Sequence, residues 1–130
     1  MIIINFAHPL TESHLREISI IGGEAVEEVI EIDSSIDTTK PITPQVLELI
    51  NKVKFTKRDW QTNPILLNLP SLNYTAAILI SEIHGRSGHF PAFIRMRPVK
   101  EAAITKFEVA EIVDLQTVRN TARARDSIQP

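Results

Sequence analysis

Residues 63–88 read NPILLNLPSLNYTAAILISEIHGRSG, and this stretch decides the fold. Its first part, residues 65–69, is almost continuously apolar and lies between Pro64 and Pro70. A half-exposed strand alternates apolar and polar residues, whereas an unbroken apolar run is typical of a strand covered on both faces. Residues 76–83 then give a helix that is apolar nearly all round. The stretch therefore predicts a central buried strand, a polar loop and a buried helix.

The loop between this strand and helix is where we expect a binding site. Open α/β sheets bind ligands where strand carboxyl ends meet helix amino ends, and free backbone amides there favour an anion. A structural role is equally open, because Ser71 or Asn73 can cap the first turn of the helix, which Gly85 would end. The hydrogen-bonding and turn-forming residues of the loop are Asn68, Pro70, Ser71, Asn73, Tyr74 and Thr75.

The amino-terminal segment repeats this arrangement. Residues 1–6 predict an apolar strand, and Thr11 is placed to cap a helix that ends at a pair of glycines. Asn5, His8 and Thr11 therefore hold the same kind of position as the loop residues after the central strand. If the two strands are neighbours, their exit loops converge on one crevice, the topological switch point of an open sheet.

The rest of the chain completes the fold class. Residues 25–32 predict an outer strand, residues 44–54 a helix, residues 90–99 and 107–113 two more strands, and residues 115–124 a final helix. This order predicts an α/β fold with a Rossmann-like, mainly parallel sheet of about five strands and helices on both faces. One strand near the end is expected to be antiparallel. The lone Trp60 lies in a connection and is expected to anchor it onto the core or to contact another subunit, and not to serve as a ligand platform.

Length and composition indicate an ordinary globular chain. With 130 residues, 43% apolar and 23% charged, it is long enough for one core and too short for two. We expect one domain over residues 1–125 and a disordered tail over residues 126–130. Cysteine is absent, which excludes disulfides and thiolate metal sites. No apolar stretch reaches the roughly 18 residues of a membrane span, and no signal peptide is recognisable, so we expect a cytoplasmic protein.

Charge is unevenly distributed along the chain. The net charge is −2, with 6 Lys and Arg against 11 Asp and Glu in residues 1–83, and 8 against 5 in residues 84–130. This is too little positive charge for long nucleic acid, and a small anion held by a few arginines fits better. Arg95 and Arg97 share one side of a strand, where a phosphate or a carboxylate of the protein itself can partner them. The late arginines are Arg86, Arg95, Arg97, Arg119, Arg123 and Arg125.

The motifs narrow the possible chemistry. No G-x-G-x-x-G follows the first strand and no G-x-x-x-x-G-K-[ST] is present, so we predict neither a dinucleotide cofactor nor P-loop phosphoryl transfer. The histidines lack a strong metal-binding spacing, and we predict no metal. Arg86, Gly88 and His89 lie in a predicted flexible loop that can fold over an anion, although a helix that simply ends in glycine has the same sequence. His8 is a possible general base or stacking ring, and equally a structural histidine.

Four segments carry a resemblance to a known family. They are IIINFAHPLTESHL (2–15), DWQ (59–61) through PILLNLPSLNYTAA (64–77), EIHGRSGHFPAFIRMRPV (82–99) and FEVAEIVDLQTVRNTARAR (107–125). Together they resemble a small CRISPR-associated ancillary family labelled Csx fifteen, and NFAHPLT (5–11) and HGRSGHFP (84–91) are the more specific parts. The family accompanies type III CRISPR systems and is similar in build to the CARF and ring nuclease proteins.

The resemblance implies binding of a cyclic oligoadenylate second messenger, cyclic tetra-adenylate first, in a homodimer or a larger ligand-bridged oligomer. Three functions stay open: sequestration without turnover, which we favour; metal-independent ring cleavage by in-line attack of a ribose 2′-hydroxyl, with His8, Arg86 or His89 stabilising charge; and a structural role beside other CRISPR components. We expect no cofactor. By position, the expected ligand-binding residues are Asn5, His8, Thr11, Asn68, Pro70, Ser71, Asn73, Thr75, Arg86, Gly88 and His89.

Overall fold

Residues 1–100 and 103–125, which the computed structural model describes, form a five-stranded sheet with helices on both faces. This α/β architecture is the one that the sequence predicted. The strands are β1 (Ile2–Asn5), β2 (Glu28–Glu31), β3 (Ile65–Asn68), β4 (Ala92–Val99) and β5 (Lys106–Asp114). The helices are α1 (Glu12–Gly22), α2 (Ile42–Asn51), α3 (Lys57–Thr62), α4 (Asn73–Ser87) and α5 (Leu115–Ala124).

The order of the strands creates a switch point beside β1. Along the sheet the order is β2-β1-β3-β4-β5, with the first four strands parallel and β5 antiparallel to β4. The chain leaves β1 toward β2 on one side and later places β3 on the other side. The first and central strands are neighbours, which meets the condition for their exit loops to converge, and the predicted antiparallel strand near the end is confirmed.

Alternating side chains of β1 and β3 supply two cores, one on each face of the sheet. Ile3 and Leu66, which are opposite each other in the strand register, pack in the cluster that includes Ile18 of α1. Ile4 and Leu67 pack on the other face, in the cluster formed with α2, α3 and α4. Because successive strand residues point to opposite faces, a strand with helices on both sides is apolar at successive positions, and in β1 and β3 only the last residues, Asn5 and Asn68, are polar.

The ends of α1 follow the sequence prediction. The Thr11 hydroxyl accepts a hydrogen bond from the His14 amide, and the Thr11 amide donates to Nδ1 of His14, which completes a reciprocal cap. At the other end, Gly23 has a φ of 72°, a left-handed conformation that favours glycine. Thr11 therefore serves as a structural cap.

Two other helix boundaries differ from the prediction. Helix α4 does not end at Gly85 but continues to Ser87, and Gly88 follows with a φ of 86°. Helix α2 begins at Ile42, with Pro41 in the N-cap position and no side-chain cap. A glycine inside a helix lowers the stability of the helix by only about 1 kcal/mol relative to alanine. Stabilising contacts of the residues on either side of Gly85 can offset this penalty, so the helix continues through it.

The connection after α2 folds as the short helix α3. The Thr56 hydroxyl accepts from the Asp59 amide, and the Asp59 carboxylate accepts from the Thr56 amide. Trp60 is only 3% exposed and meets Phe55 edge-on, with ring centroids 5.0 Å apart. The prediction that Trp60 anchors this connection onto the core is confirmed.

The carboxyl-terminal segments complete the described part of the chain. Asp114 ends β5 and caps α5, since its side chain accepts a hydrogen bond from the Gln116 amide. No helix among the described residues combines the length and apolar character of a membrane span. The predicted tail, residues 126–130, lies outside the described residues.

Candidate functional site

A row of hydrogen-bonded side chains joins the carboxyl ends of three adjacent strands. Asn5, which ends β1, pairs in register with Glu31 of β2 on one side and Asn68 of β3 on the other. The Asn68 amide donates to Oδ1 of Asn5 at 3.0 Å, and the Asn5 amide donates to Oε2 of Glu31, also at 3.0 Å. The row fixes the three strand ends relative to one another.

Asn5 uses its hydrogen-bonding groups within the protein. Besides the contacts to Glu31 and Asn68, its side-chain amide donates to the His8 carbonyl at 3.0 Å and its oxygen accepts from the Ala7 amide at 2.9 Å. The side chain is fully buried. Asn5 therefore shapes the loop after β1 instead of presenting its amide to a ligand, which differs from the expectation that it reads a ligand directly.

A pocket of about 380 Å³ opens above this edge of the sheet. We call it the carboxyl-edge pocket, and three segments line it: residues 6–8 after β1, residues 32–36 after β2, and residues 69–72 with Thr75 at the start of α4. Asn5 and Asn68 are not among its lining residues. The segments are the exit loops of three neighbouring parallel strands, so the pocket lies at the switch point, where open α/β sheets bind ligands.

The first turn of α4 forms one wall of the pocket and has no side-chain cap among the described residues. Leu72 occupies the N-cap position, so the prediction that Ser71 or Asn73 caps this helix is wrong. The first hydrogen bond of the helix runs from the Ala76 amide to the Leu72 carbonyl, which leaves the amides of residues 73–75 without an intrahelical acceptor. An uncapped helix amino end favours an anionic group.

Thr75 adds an unpartnered hydroxyl to this wall. The residue is fully buried, it lines the pocket, and its Oγ1 has no hydrogen-bond partner among the described residues. A buried hydroxyl without a partner is costly, and nearly all such groups in proteins are bonded. The hydroxyl is shielded from solvent and belongs to the same first turn of α4 as the free amides.

The remaining predicted residues divide by location. His8, Pro70 and Ser71 line the carboxyl-edge pocket together with Thr75, as position along the strands predicted. Asn73 begins α4 and is exposed but is not a lining residue. Thr11 is engaged as the cap of α1.

Arg86, Gly88 and His89 lie at the opposite end of α4. The helix has 15 residues, which is about 22 Å along its axis, so these residues are close to the amino ends of the strands. Arg86 donates to Glu82 at 3.3 Å and to Asn51 at 2.9 Å, and its guanidinium lies 5.7 Å from the Trp60 ring. The expected anion-binding loop is the last turn of a helix, and the geometry does not join it to the carboxyl-edge pocket.

His89 lines a different cavity, of about 390 Å³, at the amino edge of the sheet. Two of the other late arginines are engaged: Arg95 binds Glu111 at 2.6 Å and Arg97 binds Glu108 at 2.8 Å. Carboxylates of the protein itself thus partner them. No lysine or arginine is among the lining residues of the carboxyl-edge pocket, so its anion-favouring groups are backbone amides and hydroxyls.

The sequence interpretation missed the loop after β2. Asp33, Ser34 and Ser35 line the pocket, and the Ser34 hydroxyl donates to the Phe6 carbonyl. Hydrogen bonds from Ser35 hold the pKa of Asp33 below its usual value of 3.8, so its carboxylate is ionised at neutral pH. The signal that could have found Asp33 is its place just after a strand that neighbours the switch point.

Comparison of the chain with protein-family models, curated proteins and solved structures finds no significant match. In residues 1–100 and 103–125, no three His, Asp or Glu side chains gather as a set that could hold a metal ion.

Proposed function

We propose that the chain binds a nucleotide in the carboxyl-edge pocket and, following the resemblance in its sequence, that the ligand is a cyclic oligoadenylate, with cyclic tetra-adenylate as the first to test. The observation that carries the proposal is the buried, unpartnered Thr75 hydroxyl beside the uncapped first turn of α4. A phosphate bound there would accept hydrogen bonds from the free amides and, once a shift of this turn opens the shielded hydroxyl to the pocket, from Thr75 as well. Charge-assisted bonds of this kind are stronger than neutral ones.

The size of the pocket supports one nucleotide unit per chain. At about 380 Å³ it lies near the lower end of the range for small-molecule sites, roughly 300–1,000 Å³. A ring of four nucleotides exceeds it, so the ring is held between copies of the chain related by symmetry. Leu72, which lines the pocket, is 38% exposed, and Tyr74, two residues later in α4, is 43% exposed, so a second copy has apolar surface to cover. The proposed assembly is therefore a homodimer or a larger oligomer bridged by the ligand.

The proposed activity is sequestration, by which the protein lowers the free messenger and modulates type III CRISPR signalling. The lining residues include no arranged nucleophile and base. Ring cleavage is the second candidate, because the exposed His8 lines the pocket and can stabilise charge while the fold holds a ribose hydroxyl in line with its phosphate. Arg86 and His89 are remote from the carboxyl-edge pocket, so they have no role in ring cleavage at this pocket.

The test uses radiolabelled cyclic tetra-adenylate and an excess of protein. We expect a retarded band on a native gel and an intact ring on a denaturing gel after hours. Linear products that disappear in His8→Ala would establish cleavage instead. The absence of a shift at protein concentrations of about 10 µM, a generous limit for a specific ligand, would overturn the proposal.

A matched pair of variants tests the site itself. Thr75→Val keeps the shape of the side chain and removes the hydroxyl, so we expect affinity to fall about tenfold, the effect of losing one hydrogen bond to a charged group. Thr121→Val makes the same exchange on the exposed helix α5 and should bind like the wild type. Equal affinity of both variants would place the ligand elsewhere.

A further inference from the structure

We infer that the Asp33 carboxylate accepts a hydrogen bond from a ribose 2′-hydroxyl of the bound nucleotide, and so makes the carboxyl-edge pocket selective for ribonucleotides over deoxyribonucleotides. The inference rests on the proposed function, because it assigns the second end of the same pocket. Asp33 lines the pocket in the segment after β2, whereas Thr75 lines it at the start of α4. The two residues thus belong to different segments of one pocket.

The surrounding loop holds Asp33 in one orientation. Its Oδ1 accepts from the Ser35 amide at 3.2 Å and from the Ser35 hydroxyl at 2.8 Å. The hydroxyl of Ser34 donates to the Phe6 carbonyl, which ties the loop to the exit of β1. The Oδ2 atom accepts no hydrogen bond from the part of the chain that the structure describes. A positioned acceptor is therefore available to a ligand.

The charge of Asp33 limits which ligand can fit. Hydrogen bonds from Ser35, together with the positive charge of Lys52, keep the pKa of this carboxyl below 3.8 against the opposing effect of burial. An ionised carboxylate repels phosphate and accepts protons from hydroxyls. The two walls thus differ in chemistry: α4 offers donors, and Asp33 offers an acceptor. A ligand that carries an anionic group and a sugar hydroxyl satisfies both, whereas inorganic phosphate or diphosphate satisfies only one.

Dinucleotide-binding sheets offer a partial parallel, because their phosphate-binding helix follows the first strand and not, as here, the central one. In dinucleotide-binding α/β sheets, phosphate lies at a helix amino end and an acidic side chain near the end of a neighbouring strand binds the ribose hydroxyl. Here β2 and β3 both flank β1. The acidic residue follows β2, and the uncapped helix follows β3. The proposed ribose-binding and phosphate-binding groups therefore lie on the two sides of β1. In a 3′–5′-linked ring the 3′ oxygen is esterified, which leaves the 2′-hydroxyl as the donor.

The experiment compares cyclic tetra-adenylate with its all-2′-deoxy counterpart. We expect wild-type protein to bind the ribonucleotide ring about tenfold more tightly, as for one hydrogen bond to a charged acceptor. Asp33→Ala should lose about tenfold in affinity for the ribonucleotide ring and bind the two rings equally. Equal binding of the two rings by wild-type protein, or an unchanged preference in Asp33→Ala, would overturn the inference while leaving the proposed function intact.

Asp37 provides the matched control within the same loop. Its Oδ1 accepts from the Thr39 amide at 3.0 Å and from the Thr39 hydroxyl at 2.6 Å, so it makes the same local turn as Asp33. It does not line the carboxyl-edge pocket. Asp37→Ala should therefore keep the preference for the ribonucleotide ring. A loss of preference in this variant as well would assign the effect to the loop fold and overturn the role of Asp33. If wild-type protein binds neither ring, the proposed function and this inference fail together.

Discussion

Asn68 of β3 donates a hydrogen bond of 3.0 Å to Asn5 of β1 across the switch point of the sheet. The pair is buried between two strands whose other residues are apolar, and Asn5 extends the contact to Glu31 and to the loop after β1. Buried side-chain amides that are hydrogen-bonded to each other favour one arrangement of the groups around them. The pair therefore holds in place the loops from which the carboxyl-edge pocket is built.

Asn5→Ala should destabilise the protein by about 2–4 kcal/mol, because it removes four hydrogen bonds and leaves the buried Asn68 amide and loop groups unpaired. The free energy of unfolding in urea measures the effect. Asn73→Ala is the control, since Asn73 is an exposed residue at the start of α4 and its loss should change stability by less than about 0.5 kcal/mol. A loss at Asn5 as small as that of the control would contradict a structural role.

Thr75→Val should leave the stability of the unliganded protein unchanged or raise it by up to about 1 kcal/mol. The hydroxyl is buried without a partner in the described structure, so its removal ends a desolvation penalty and breaks no bond. Thermal unfolding with and without ligand measures both effects, since ligand should raise the melting temperature of the wild type more than that of the variant. A clear destabilisation of the unliganded variant would show that the hydroxyl is bonded within the fold.

Local sequence patterns were enough to predict the buried strands of this fold and the ends of its first helix. The unbroken apolar runs of β1 and β3 identified buried parallel strands, because only a strand with helices on both faces needs apolar residues throughout. Thr11 and Gly23 marked the ends of α1 through cap chemistry that involves only neighbouring residues. Position after these strands also placed His8, Ser71 and Thr75 at one pocket.

The sequence predictions failed where contacts between residues far apart in the sequence determine the structure. Helix α4 runs past Gly85 to Ser87, and Arg86 contacts Asn51 and the Trp60 ring, partners that are far away in sequence. Asp33 was missed because its place in the pocket depends on β2 lying beside β1. The cap of α4 was ambiguous because Ser71 and Asn73 both suit the role, and the backbone placed neither of them there.

His14→Ala should destabilise the protein by about 1–2 kcal/mol, the usual effect of losing a reciprocal helix cap. Because Nδ1 of His14 accepts from the Thr11 amide at 3.1 Å, the ring proton lies on Nε2, which donates to the Phe107 carbonyl at 2.8 Å. The side chain thus joins α1 to β5. Ser13→Ala changes the adjacent exposed residue and should be nearly neutral in the same urea titration. Equal effects of the two changes would contradict this role.

The ion pair between Arg95 and Glu111 should contribute little to stability although its nitrogen and oxygen are 2.6 Å apart. Both side chains are about half exposed, so solvent and salt screen the attraction. A double-mutant cycle with alanine at each position should give a coupling free energy below about 1 kcal/mol that decreases further in high salt. A coupling well above this value would indicate that the pair is shielded from water in solution.

Ser35→Ala should raise the pKa of Asp33 toward its usual value of 3.8, because hydrogen bonds from Ser35 are the main cause of the lowered value. A carboxyl whose pKa is lower in the folded protein stabilises the fold above the unfolded value of 3.8, and this contribution is lost as the pH falls through the lower folded value. Carboxyl NMR titration follows Asp33 directly. Asp37, whose pKa is lowered by Thr39 in the same way, serves as the internal control and should not change. If Asp33 keeps its low pKa in the variant, the charge of Lys52 is the dominant cause, and the orientation of the carboxylate in the pocket does not depend on Ser35.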